Sequence, residues 1–89
     1  MKMKIHILYR PKSEHATTVE SYVRDFARRG YTNMTLLSLD TREGSAEAAL
    51  YDIMSYPAIL AIADDGSLQK LWQGDELPLM DELSSYARA

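Results

Sequence analysis

Few residues in this chain are placed to do chemistry. The most suggestive group is Ser13-Glu14-His15, which sets a hydroxyl, a carboxylate and an imidazole side by side. Together these groups suit nucleophilic or acid–base work, but neighbouring positions at a helix start point in different directions, so a relay among them is geometrically disfavoured. The simpler assignment makes Ser13 a helix N-cap, Glu14 a partner for the positive end of the helix dipole, and His15 the first residue of a buried stripe. Arg10 and Lys12 stand just upstream and add positive charge. The other pointed feature is Ser55-Tyr56-Pro57, a proline between a helical pattern and an apolar run, with Tyr56 as a partly exposed aromatic.

Other chemistries find less support. The 89 residues contain no cysteine, so thiol redox catalysis, thiolate nucleophiles and thiolate metal sites are all excluded. A metal site would have to be assembled from His6, His15 and carboxylates, and nothing in their spacing brings three ligands together. Asp64-Asp65-Gly66 lacks the alternating acidic spacing of a calcium loop and reads as a turn. Arg24, Arg28 and Arg29 are interleaved with Glu20 and Asp25, the pattern of a solvated helix face. The net charge of −3 speaks against an electrostatically driven nucleic-acid binder. Met34, Met54 and Met80 read as core fillers, and Trp72 as packing on a sheet face.

The elements that must position these residues follow from periodicity. Lys4–Tyr9 is a β-favouring run ended by Arg10-Pro11-Lys12. His15, Val19, Tyr22, Val23 and Phe26 recur at helical spacing, which predicts a first helix over about 14–29, roughly 24 Å long, stopped by Gly30. Met34–Leu39 carries apolar residues on both faces and suits a strand covered on two sides. A second helix is expected over about 46–55, capped by Ser45 or Thr41, with Ala49, Leu50, Ile53 and Met54 as its buried stripe. Pro57 ends it, and Ala58–Ala63 is a buried strand.

Asp64-Asp65-Gly66 then turns the chain into a hairpin. Its second strand, Ser67–Trp72, should be an edge with Leu68, Lys70 and Trp72 on one face and Gln69, Leu71 and Gln73 on the other, Lys70 discouraging pairing with another sheet. Gly74-Asp75-Glu76-Leu77-Pro78 breaks that strand and opens a third helix with proline in its first turn, Leu79, Met80, Leu83 and Tyr86 forming its apolar face. The expected architecture is α/β, order βαβαββα, a mixed four-stranded sheet with helices on both faces, in a single domain over 1–89.

This order, together with particular residues, resembles the thioredoxin-like superfamily in its minimal form, close to glutaredoxins. Tyr9 to Ala16 lies where that family has its strand, loop and Cys-x-x-Cys opening the first helix. Ser55-Tyr56-Pro57 before an apolar strand resembles the family's cis-proline motif. Asp64-Asp65-Gly66 and Leu71-Trp72-Gln73-Gly74 resemble its hairpin and strand-ending glycine. Ser13 and Ala16 stand where the family has its two thiols, so the resemblance implies the fold without the redox reaction.

What it further implies is a redox-inactive binding or adaptor module, in which Tyr56 pairs with an extended peptide or a glutathione-like ligand through β-augmentation. The candidate ligand-binding residues are Arg10, Lys12, Ser13, Glu14, His15, Tyr56 and Pro57. Arg10, Lys12 and the amides near Ser13 would favour an acidic group in the ligand. No catalytic residue, cofactor or metal is assigned. The alternatives are a small thiol-independent enzyme, glutathione-transfer-like or using His15 or Glu14 as acid or base, and a structural subunit dimerising through the edge strand around Trp72. The remaining expectations are a monomer or weak homodimer, no nucleic-acid or membrane partner, and a cytoplasmic location, since the apolar run after Met1-Lys2-Met3-Lys4 is too short for a signal peptide or a span.

Overall fold

A computed structural model describes residues 3–31, 33–74 and 77–87. It contains β1 (Lys4–Tyr9), α1 (Ala16–Arg28), β2 (Met34–Ser38), α2 (Arg42–Leu50), β3 (Ala58–Ile62), β4 (Leu68–Gln73) and α3 (Met80–Ala87). The strands form one sheet in the order β2-β1-β3-β4, with β1 parallel to β2 and antiparallel to β3, and β3 antiparallel to β4. The predicted element order and mixed sheet are both present. Asp75 and Glu76, part of the break expected after the fourth strand, lie outside the described residues. Among the described residues no helix is long and apolar enough to cross a membrane.

Alternation along the strands divides the core into two layers. Ile5, Ile7 and Tyr9 of β1 and Ile59 and Ala61 of β3 face Val19 and Phe26 of α1 and Leu83 of α3. Leu8, Ala58, Leu60 and Ile62 face the other way, against Ala48 and Ile53. All five residues of β3 are buried, as its unbroken apolar run requires of a strand covered on both faces. Asn33 ties the ends of the fold together, its Nδ2 donating to Met3 O at 2.7 Å and to Ala87 O at 3.1 Å. Tyr22 links α1 to the segment before α3 through a 2.8 Å bond from its hydroxyl to Pro78 O.

Several local expectations are corrected. Helix α1 begins at Ala16, and Ser13 is not its cap: the Ser13 hydroxyl donates to Arg10 O at 2.6 Å, while His15 occupies the N-cap position without a side-chain bond to the helix. The tight turn from Arg10 to Ser13, closed by Ser13 N–H to Arg10 O, folds that hydroxyl backwards. Glu14 consequently precedes the first turn instead of lying in it. Ala16, not His15, opens the buried stripe.

Helix α2 starts and ends earlier than its hydrophobic pattern suggests. Thr41 caps it, accepting from Gly44 N–H at 3.0 Å. Its C-terminal turn unwinds through Ile53 N–H to Ala48 O, with Asp52 at a positive φ of 54°, so the helix stops at Leu50. Its inward face is Gly44 and Ala48, and the expected core residues Leu50 and Met54 are 73% and 82% exposed. The small residues let the helix backbone settle against the end of β2, where a Cβ on Gly44 would collide with Ser38 O.

Helix α3 starts at Met80, after Pro78, and Leu79 is 78% exposed because it precedes the apolar face formed by Met80, Leu83 and Tyr86. In β4 the alternation slips at a register shift between Ala61 and Ile62, where Lys70 pairs with Ala61 but Leu68 with Ile62. The resulting bulge puts Leu68 and Leu71 in the α2 layer and Trp72 in the other, correcting the strict alternation read from the sequence.

Three outcomes are expected from this packing. Leu83→Ala, at a fully buried position, should cost about 2–5 kcal/mol in chemical denaturation, whereas Leu50→Ala should change stability by less than about 0.5 kcal/mol. Gly44→Ala should cost about 1–3 kcal/mol, since the new methyl meets backbone that has no room to move aside. Burial, with the nearby Glu82 charge, pushes the Tyr22 phenol up to about 12 against an ordinary value of 10.0. The neutral phenol therefore supports the fold fully below pH 10, and that support is lost as the pH rises towards about 12. In Tyr22→Phe this part of the alkaline loss of stability should vanish, as followed by denaturation at stepped pH.

Candidate functional site

The proline turn after β1 gives the site its first wall. Arg10 O accepts both the backbone N–H of Ser13, at 3.2 Å, and its hydroxyl. Arg10 N–H in turn donates to His15 Nε2 at 3.2 Å. That bond uses the lone pair of Nε2 and puts the proton of a neutral ring on Nδ1. The loop from Arg10 to His15 is thus closed by its own hydrogen bonds, with Lys12 exposed at its tip.

The second wall is the segment entering β3. Gln73 Oε1 accepts from the N–H groups of Met54 and Ser55, each at 3.2 Å, and so fixes the chain just before Tyr56. The Tyr56 hydroxyl donates back to Ile53 O at 3.2 Å. The Tyr56–Pro57 peptide is cis, Pro57 is buried, and Pro57 O accepts from Gly74 N–H at 3.0 Å. Among the described residues neither the N–H nor the C=O of Tyr56 has a hydrogen-bond partner.

Tyr56 and Pro57 separate two depressions. One, of ≈ 280 Å³, is lined by Glu14, His15, Thr18, Val19, Pro57 and Leu77. The other, of ≈ 290 Å³, lies on the α2 side, with Arg10, Leu39, Ser45, Ala48, Met54 and Tyr56 among its lining residues. The Arg10 guanidinium carbon stands 6.0 Å from the centre of the Tyr56 ring, and its Nη1 lies 3.9 Å from Asp40 Oδ1.

The seven residues singled out in the sequence are therefore neighbours without forming one pocket. Glu14, His15 and Pro57 line one depression, Arg10 and Tyr56 the other, while Lys12 and Ser13 belong to the loop between strand and helix. Thr18, Leu77 and Gln73 were not apparent from the sequence. Thr18 stands one turn after Glu14, a spacing that does place them on a common face. Nothing local marks Gln73 or Leu77, which arrive from the far end of the chain.

Elsewhere, polar groups have structural partners. His6 Nδ1 lies 2.8 Å from both carboxylate oxygens of Glu47, joining β1 to α2, with the two side chains 19% and 16% exposed. Among the described residues no group of three or more histidines and carboxylates converges on a point. Trp72 Nε1 donates to Glu82 at 3.1 Å, and its ring meets Tyr86 edge-on at 5.3 Å. Arg28 and Arg29 are exposed beside Asp25 and Asp81, at 3.6 and 3.2 Å.

No protein-family profile and no curated protein match the sequence. Solved structures do. The germline-specific thioredoxin Deadhead of Drosophila melanogaster superposes with a TM-score of 0.68 at 17% identity, over 94% of this chain and 76% of that one. Thioredoxin 1 of Thermosipho africanus TCF52B gives 0.66 at 14% identity, over 97% and 91%. Mitochondrial thioredoxin 3 of Saccharomyces cerevisiae, in its oxidised form, gives 0.65 at 12% identity, over 98% and 77%. Similarity at these identities is one of backbone architecture, and with the sheet order and the cysteine-free sequence it leads to one conclusion: this chain has the thioredoxin-like fold and lacks the Cys-x-x-Cys motif.

Proposed function

We propose that the chain is a binding module that takes an extended peptide against Tyr56, with a side chain of that peptide lodged in the neighbouring groove. The observation that carries this reading is the backbone of Tyr56, without a hydrogen-bond partner among the described residues, next to Pro57, which with Val19 and Leu77 walls a ≈ 280 Å³ depression. An extended segment running past Tyr56 would satisfy its N–H and C=O, as in strand addition, and alternate side chains of the ligand would point into the groove. The Gln73 bonds to Met54 and Ser55 hold the receiving segment in place beforehand, which lowers the ordering cost of binding.

The preference for an acidic ligand is revised. Arg10 is turned towards Tyr56 and Asp40 on the other side of the ridge, and the charged group lining the groove is the carboxylate of Glu14. A peptide bearing an apolar residue, with a neutral or basic neighbour to lie by Glu14, suits this wall better than an anion such as glutathione.

Acid–base catalysis is the less favoured reading. The His15 lone pair is taken by Arg10 N–H, so a proton acceptor would first have to break the bond that closes the loop. Thiol–disulfide exchange does not arise, because the sequence holds no cysteine. The fold here serves recognition without that reaction.

Titration of the labelled protein with short extended peptides of the apolar–basic type, followed by amide shifts, tests the proposal. Saturable shifts are expected at Tyr56, His15, Thr18 and Val19, with dissociation constants in the range of about 10 μM to 1 mM. Thr18→Arg, at an exposed position on the groove wall, should weaken binding about tenfold or more while leaving the denaturation midpoint in place. Shifts confined to Ser45, Ala48 and Met54 would assign binding to the other depression and sink this one, as would the absence of saturable shifts with every peptide and with glutathione.

A further inference from the structure

The two histidines are built into the fold in opposite ways. His6 Nδ1 lies 2.8 Å from both carboxylate oxygens of Glu47, so its ring is the donor there, and a second proton on the ring leaves that bond standing. His15 is the reverse case. Its Nε2 accepts from Arg10 N–H at 3.2 Å, and a ring nitrogen accepts only while it carries no proton. Once the ring is doubly protonated, two N–H groups confront each other and the bond is lost.

The surroundings of His15 add to that conflict. The residue occupies the N-cap position of α1, where the positive end of the helix dipole opposes a cationic ring. Arg10 and Lys12 bring two further positive charges in the same loop, the Arg10 guanidinium being answered by Asp40 at 3.9 Å on the other side of the ridge. Glu14 lines the depression beside His15, yet among the described residues no carboxylate forms an ion pair with the His15 ring. Glu20, further along α1, is engaged by the Tyr9 hydroxyl at 3.3 Å. Pro57 and Leu77, which line the depression from the other segments, carry no charge. His15 is half-buried, so protons reach it from solvent.

Resting on the peptide reading of this groove, we propose that His15 is its proton switch: the neutral ring closes the loop and leaves the groove receptive to an apolar–basic peptide, and the charged ring opens the loop and weakens that binding. With His15 neutral, Glu14 is the one charge among the residues lining the groove, and it attracts the basic residue of the ligand. A histidine ring gains its second proton between about pH 8 and about pH 5. That proton adds a positive charge to the wall, which offsets the carboxylate of Glu14 and repels the same basic residue. The ring is also released from Arg10 N–H. The turn from Arg10 to Ser13 keeps its own bonds, from Ser13 N–H and hydroxyl to Arg10 O, so the change is confined to the groove wall and the fold persists. His6 cannot act in this way, since its bond to Glu47 survives protonation of the ring.

Titration of the full chain from about pH 8 to about pH 5.5, followed by NMR, reads the loop without any ligand. The Arg10 amide is expected to shift, and its protection from exchange to fall, in step with protonation of the His15 ring, while Nδ1 of His6 stays protonated throughout. The groove is read with a blocked peptide of the apolar–lysine type, whose own charge is constant over this range. Its dissociation constant should rise about threefold or more towards the acid end. In His15→Gln, which offers Arg10 N–H an acceptor that takes up no proton, the constant should not vary with pH, whatever its level. Thermal unfolding at both ends of the range confirms that each protein is folded. An Arg10 amide indifferent to the His15 titration would overturn the proposal even where peptides bind, and so would an equal affinity at both ends or a pH response that survives in His15→Gln. If no peptide binds at either pH, the peptide reading of the groove falls, and the Arg10 amide alone decides whether the loop is a proton switch.

Discussion

The fold depends on the complete burial of β3 between two helical layers. Its five residues, Ala58 to Ile62, supply alternating side chains to both cores, and no other strand is buried at every position. Burying a strand on both faces is favourable only if its backbone is also satisfied, which β1 and β4 do on either side. The ends of β3 are therefore held firmly, and the chain that enters it is held with them. Pro57 is anchored through Gly74 N–H to its carbonyl, and the segment before it is gripped by Gln73 from the adjacent strand. The backbone of Tyr56, without a hydrogen-bond partner among the described residues, thus lies next to a segment anchored on both sides.

The layers on either side of β3 use different packing. The α1 and α3 side is filled by large residues, among them Phe26, Ile5, Ile7 and Leu83, all fully buried. The α2 side uses small ones, with Gly44 and Ala48 facing inward and the helix backbone drawn against the end of β2. Leu50 and Met54 lie outside. Ala48 also lines the depression beside Arg10 and Tyr56, where it fills less of the space than the leucine of a conventional stripe.

Without thiols, the loop between β1 and α1 has become a self-contained unit. Arg10 O accepts from the Ser13 N–H and hydroxyl, and Arg10 N–H donates to the His15 ring, so these three residues are tied to one another. Tyr56 lines one depression and Pro57 the other, so the two divide what the sequence suggested was one site.

Element order, the identity of β3, the hairpin at Asp65 and Gly66 and the exclusion of thiol chemistry were legible in the sequence, because each rests on local pattern or on composition. Ala58 to Ile62 is apolar without a break between a proline and an aspartate–glycine turn, and no tertiary contact is needed to read it. The structure alone decided matters that depend on what a distant segment brings. Helix α2 followed its Gly44 and Ala48 face because Ser38 O lies against it, although the larger residues Leu50 and Met54 dominate its hydrophobic pattern. The Ser13 hydroxyl donates to Arg10 O instead of capping the helix, and Arg10 stands by Tyr56 and Asp40. The groove itself took its walls from Thr18, Leu77 and Pro57, residues that periodicity cannot associate. Hydrophobic periodicity reports which residues leave water; where each polar group finds its partner is settled only by the packing of segments far apart in the chain.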